Sequence, residues 1–441
     1  MSTLQNFPYF PIEFTKGGQV YNPAQVDALV AGIKQSAATD LLVLAHGWNN
    51  DMQDAQSLYS AFLTAFRQVL EISDNQNVIK RKFAVLGVLW PSKKFADAQF
   101  TPSGAASASS PVSNALLIAA LDHLRGTFDA PGADQALEQA KALVPNLENS
   151  PTAQGKFADL LRSVLPPTET SPDVDASAAF RTLSGKAVIA HLAKPLPATL
   201  LPPTTSRSRS LGSGASSVGH GAGLGQFFGG IKAGALNLLN YTTYYQMKER
   251  AGHVGRDGLH AVLQRVQREA PLKLHLVGHS FGGRVVTAAA AGTEGQPTLT
   301  IQTLMLLQAA FSHYGFSDNY DGTQAGFFRG VLASHIIKGP ILISHSIEDS
   351  AVGTMYPLAS MLARQVGQGL GDANDKYGGM GRNGAQKTPE AIQGRLLAVG
   401  ASYAFQGGKV YNLDADAIIQ DHSDISHPEV AYALLQAITT T

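Results

Sequence analysis

The sequence predicts an α/β protein: a mostly parallel central sheet with helices on both faces and an inserted helical cap. Three observations lead there. Short apolar runs rich in β-branched and aliphatic residues alternate with helix-length segments. One such run, Leu272-Lys273-Leu274-His275-Leu276-Val277, passes through a Gly-Ser-Gly turn directly into an Ala-rich helix. Between Trp90 and about Leu239 the alternation stops, which marks an insertion.

The strand-like runs are residues 41–45, 83–90, 272–277, 303–307, 340–344 and 409–413. Each is apolar throughout or nearly so, as strands buried on both faces are. Residues 26–33, 55–72, 257–268, 285–291 and 428–438 carry apolar side chains at helical spacing or are Ala-rich. Helices between successive strands make right-handed crossovers, hence parallel pairing. Residues 10–20 are expected to add an antiparallel edge strand. Within the insertion, residues 115–124, 133–144 and 157–165 read as short helices. Residues 101–114 and 195–225 are too poor in apolar side chains to order themselves, the latter containing Ser206-Arg207-Ser208-Arg209-Ser210. The expected organisation is a core of residues 1–90 and 240–441 interrupted by a cap of residues 91–239, without internal repeats.

Composition narrows the chemistry. Lysine plus arginine total 33 and aspartate plus glutamate 33, so no net field draws in nucleic acid or an anionic surface. There is no cysteine, which excludes disulfides, thiolate catalysis and cysteine-ligated zinc. The histidines are scattered without a His-Glu-x-x-His helix, so neither a metal nor another cofactor is expected. Residues 1–18 lack the basic start and apolar run of a signal peptide, and no apolar stretch reaches membrane-spanning length. A cytoplasmic protein acting on a small molecule, with no nucleic-acid partner and no integral membrane segment, is the expectation.

The turn Gly278-His279-Ser280-Phe281-Gly282 carries the chemistry. A serine between a strand and a helix sits in a strained backbone conformation that its flanking glycines make possible. Its hydroxyl is thereby exposed at the carboxyl edge of the sheet, near the positive end of the following helix dipole. A second signal is the strand 41–45 ending in His46-Gly47-Trp48-Asn49-Asn50. His46 is read either as part of that site or as a buried hydrogen-bonding group; His275, on a buried strand, and His279 are read as structural.

The segments His46-Gly47-Trp48-Asn49, Leu89-Trp90-Pro91-Ser92, Gly278-His279-Ser280-Phe281-Gly282 and Asp421-His422-Ser423-Asp424-Ile425 resemble those of α/β-hydrolase-fold serine esterases and lipases. The resemblance spans the core on both sides of the insertion and does not extend into residues 92–234. It implies a nucleophile, an acid and a histidine in that chain order, each in a loop after a strand. Ser280 is then the nucleophile. Asp349, in His345-Ser346-Ile347-Glu348-Asp349, is the acid, with Glu348 as rival and Asp318 and Asp321 behind it. His422 is the base; His427, before Pro428 and Glu429, would lie at a helix N-terminus, where the dipole opposes an imidazolium. The same resemblance implies an oxyanion hole from the backbone N–H groups of Phe281 and Trp48, with Asn49 as runner-up to Trp48. Gly47, Asn49, Phe311 and His313 are expected to line the substrate pocket, and residues 227–245 to form either an apolar lid or the packing face of the cap. The implied activity is hydrolysis of a carboxylic ester with an apolar acyl group, through an acyl-enzyme. An acyltransferase or phospholipase on the same triad, or a binding protein that keeps the fold without catalysis, stays open.

Overall fold

The computed structural model describes residues 2–92, 112–165, 177–194, 230–296, 298–349 and 376–441. Nine strands form one sheet: β1 (Thr3–Leu4), β2 (Phe7–Glu13), β3 (Asp40–Ala45), β4 (Phe83–Leu89), β5 (Lys273–His279), β6 (Thr303–Leu307), β7 (Ile341–His345), β8 (Ala391–Arg395) and β9 (Val410–Asp414), in the order β1-β2-β4-β3-β5-β6-β7-β9-β8. All six strand-like runs of the sequence become strands. Every pairing is parallel except β1 with β2.

The N-terminal strand departs from expectation. It begins earlier, at Phe7, and runs parallel to β4, with Tyr9 opposite Val85. Antiparallel pairing is confined to the two residues of β1 and an isolated bridge between Phe14 and Val20. The strand β8 has no counterpart in the sequence reading.

Alternate residues of each strand feed two cores, as the two-residue period of a strand requires. Leu41, Val43, Leu86 and Val88 face one core, with the helices Pro23–Ser36, Ile231–His253 and Phe281–Ala291. Leu42, Leu44, Val85 and Met305 face the other, beneath the helices Met52–Glu71 and Pro428–Thr439. The chain is therefore α/β with helices on both faces. Helix starts follow local chemistry. The Asp51 carboxylate accepts from the N–H groups of Gln53 and Asp54 while Asp54 accepts from Asp51, a reciprocal cap that opens Met52–Glu71. His427 precedes Pro428 at the first turn of the last helix, as its sequence suggested.

Between β4 and Ile231 lie the helices Asn114–His123, Ala133–Leu143, Pro151–Ser163, Ser177–Thr182 and Gly185–Leu192. Leu117, Leu137, Phe157, Leu161 and Val188 from these helices join the same apolar cluster as Leu41 and Val43. The helix Ile231–His253 runs unbroken across the expected boundary at 239/240, and within it Leu238, Leu239, Tyr241, Tyr244 and Tyr245 are buried in that cluster. Arg250 fastens it, donating to the carbonyls of Pro91 at 2.8 Å and Thr127 at 2.7 Å and pairing with Asp129 at 3.1 Å. The expected loops 101–114 and 195–225 lie almost wholly, and Phe227 and Phe228 entirely, outside the described residues. Among those described, no helix is long and apolar enough to cross a membrane.

Candidate active site

Ser280 joins the end of β5 to the helix Phe281–Ala291 with φ 56° and ψ −125°, a region that non-glycine residues rarely occupy. The neighbours over-determine this conformation. Its N–H donates to the Leu307 carbonyl and its own carbonyl accepts from Ala310 and Gly283, each at 3.0 Å. A Cβ on Gly278 would lie 2.4 Å from the Gly282 carbonyl oxygen, and one on Gly282 2.0 Å from that of Ala45, so neither position tolerates a side chain. Gly47 completes the constraint from the opposite side: a Cβ there would stand 2.6 Å from the Ser280 Cβ and 3.1 Å from its Oγ. The loop after β3 thus lies directly against the serine.

That loop is itself pinned. The His46 ring stacks on Trp90 with centroids 5.6 Å apart, and its Nε2 accepts from the Trp90 N–H at 3.2 Å while Nδ1–H donates to the Gly47 carbonyl at 3.0 Å. Burial drives the His46 pKa down to about 4, keeping the ring neutral for these two roles. His46 is a structural group. Asn49 sits at φ 62° and donates its backbone N–H to the Ser92 carbonyl at 3.0 Å, so that N–H is not available to an oxyanion. The Trp48 ring meets the Phe281 ring edge-on at 6.0 Å, and Phe281 in turn meets Tyr244 of the long helix at 5.2 Å.

Asp349 and His422 come together. The His422 Nδ1–H donates to the fully buried Asp349 carboxylate at 2.9 and 3.0 Å, which leaves the lone pair on Nε2. Burial of the ring works against its charge, but the Asp349 carboxylate and its hydrogen bond outweigh that and raise the His422 pKa above the ordinary value. The two loops are tied by Ser346, whose hydroxyl donates to the Ile419 carbonyl at 3.2 Å.

Among the described residues no hydrogen bond joins Ser280 to His422 directly. The link runs through His279: its Nε2–H donates to the His422 carbonyl at 2.7 Å, and the two rings lie 4.8 Å apart. The sequence reads His279 as structural and assigns Gln308 no role. Gln308, at φ 46° just after β6, donates to the Asp349 carboxylate at 3.4 Å and to the Gly381 carbonyl at 3.2 Å, and accepts from the Ser344 hydroxyl at 2.9 Å. A polar side chain at the end of a buried strand was the available signal.

The rivals have other engagements. Asp321 caps its own turn through the N–H groups of Thr323 and Gln324, and Asp318 is exposed. Glu348 lies half-buried beside Asp349 without the contact to His422 that Asp349 makes. His427 pairs with Asp424 at 2.7 Å. His275 is wholly buried between Asp40 and Thr303, each at 2.9 Å. Phe311 packs its ring on Phe316 and Phe328, and His313 is buried with its N–H on the Gly378 carbonyl; both belong to the core around the site rather than to an open lining.

A cavity of about 550 Å³ is bordered by His46, Asn50, Ser92, Arg125 and Arg250. Ser280, Asp349 and His422 are not among the residues that line it. No protein-family model, curated protein or solved structure matches the chain.

Proposed function

We propose that this chain is an α/β-hydrolase-fold serine hydrolase that cleaves carboxylic esters through Ser280, His422 and Asp349. One observation carries the reading: a serine is held at φ 56° between a parallel strand and a helix, while a histidine bonded to a buried carboxylate reaches the same sheet edge. The strand order supports it, with the serine after central β5, the acid after β7 and the histidine after β9.

In the proposed reaction His422 Nε2 takes the proton of the Ser280 hydroxyl as Oγ attacks the ester carbonyl carbon. The backbone N–H groups of Phe281 and Trp48 stabilise the oxyanion, the first aided by its place at a helix N-terminus. Collapse breaks the bond to the leaving alcohol, which takes the proton from His422. Water, deprotonated by the same Nε2, then releases the acid and restores the serine. The partly buried Trp48 ring beside this edge favours an apolar acyl group.

A serine-directed fluorophosphonate probe and p-nitrophenyl esters of graded chain length test the reading. The expected result is labelling of the wild type but not of Ser280→Ala. Ester turnover falls by about 10³-fold or more in His422→Ala and stays unchanged in His427→Ala. An unlabelled wild type, or a labelled Ser280→Ala, would overturn it.

A further inference from the structure

We propose that His279 is a positioning residue for His422: its Nε2–H, donated to the His422 carbonyl oxygen, sets the height of the base-bearing loop over Ser280. The inference rests on the serine-hydrolase reading and assigns within that site a function to a residue that takes no part in the proton transfers.

His279 and Ser280 are neighbours on one strained turn, so whatever His279 holds is held relative to the nucleophile. The bond from its Nε2 to the His422 carbonyl is 2.7 Å, and the rings lie 4.8 Å apart at 44°. His422 therefore has two tethers from outside its own loop, Asp349 on the ring and His279 on the backbone. The segment before it is also held from outside, by the Ser346 hydroxyl on the Ile419 carbonyl and the Ile347 N–H on the Asp416 carboxylate, whereas the contacts from Gln420 to Ile425 are local: Ser423 N–H to the Asp421 carboxylate, Gln420 N–H to that of Asp424, Ile425 N–H to the Ser423 carbonyl. Asp349 sets the tautomer and rotation of the imidazole. The His279 bond sets where the chain that carries it stands.

The direction of that bond is fixed as well. His279 Nδ1 is buried and accepts no hydrogen bond from the described residues, and it faces Gly47, where a Cβ would stand only 3.2 Å away. A second proton on this ring would be buried there without an acceptor. Burial, and then the neighbouring His422, push the His279 pKa down to about 3, so the ring stays neutral with its one proton on Nε2. While the ring is neutral, a single donor meets a single acceptor.

The test compares substitutions that differ in reach. Glutamine carries an amide N–H at about the place of Nε2, asparagine carries one at the level of Nδ1, and leucine has none. Steady-state kinetics on one p-nitrophenyl ester, with melting temperatures for each variant, are expected to give His279→Gln a kcat within about threefold of wild type. His279→Asn and His279→Leu should lose about 10- to 100-fold in kcat with KM unchanged, the size expected when a catalytic group is displaced by about 1 Å. Should His279→Leu fail to fold, the comparison of Asn with Gln carries the same decision. Equal kcat in Gln and Asn variants, or a loss confined to KM, overturns the proposal. Ser280→Ala, assayed alongside, separates the two readings: if it retains turnover, the serine assignment fails, whereas an inactive Ser280→Ala with equal His279 variants removes only the positioning role.

Discussion

His422 is subject to two opposing influences, and their balance is measurable. Burial lowers its affinity for a proton, and the Asp349 carboxylate more than restores it, leaving the pKa above 6.5. A base must be unprotonated, so the acid limb of kcat/KM is expected above pH 6.5 in the wild type. Asp349→Asn removes the carboxylate and leaves the burial, which sends the His422 pKa below 6.5 and frees the wrong tautomer; kcat should fall by about 10⁴. A histidine-selective NMR titration of wild type and variant checks the sign, and an unchanged His422 midpoint would disprove the coupling. That Asp349 and His422 meet was expected in the sequence from the resemblance of the segments that carry them, with Glu348 and His427 as rivals, and the hydrogen bond between them agrees with that pairing. Gln308 and the tether from His279 were not expected, since both depend on distances between segments far apart in the chain, and neither residue type announces its partner.

At the scale of elements, the loop after β3 and the turn after β5 are fitted to each other through the absence of a side chain at position 47. Gly47→Ala brings a methyl within 2.6 Å of the Ser280 Cβ, which can move only with the strained backbone that carries it. The expected result is a loss of about 10²-fold in turnover, with about 1–3 kcal/mol of stability from overpacking, read by ester kinetics and urea denaturation. Wild-type turnover in this variant would mean the loop can withdraw. The buried strands were legible because runs such as Leu41 to Ala45 have no other economical use in water. β8 was not: Ala391–Arg395 is an exposed edge strand containing Gln393, Gly394 and Arg395, with no apolar run to mark it. The direction of β2 was likewise hidden. Pro8 and Pro11 signal a strand with a free side, and β1 covers only its first two residues, but an edge says nothing about whether the pairing on the other side is parallel.

For the whole molecule, the decisive quantity is how many histidines the fold keeps neutral. Burial pushes His46 down to about 4 and His279 to about 3, and lowers His275 and His345. In the unfolded chain each titrates near 6.5, so between that value and the folded pKa the unfolded state binds more protons and stability falls as pH falls. His422 and His427 are shifted the other way and favour the folded state on protonation, yet they add nothing further once pH drops below 6.5, where both states hold those protons. For His46 alone the lost stability is on the order of 3 kcal/mol by pH 4, at about 1.4 kcal/mol per pH unit. With His279 added, the loss is comparable to the total stability of an ordinary domain. Acid unfolding should therefore begin between about pH 6 and 5, before the carboxylates titrate, and the cap should go with the sheet because Phe157 and Leu161 share a core with Leu41 and Val43. Urea midpoints measured from pH 7.5 to 5 by circular dichroism and by tryptophan fluorescence are expected to fall together. In His46→Gln, which keeps polar groups for Trp90 and Gly47 but cannot be protonated, the decline should be shallower. A midpoint that holds steady to pH 5 would show that these rings find protons inside the fold.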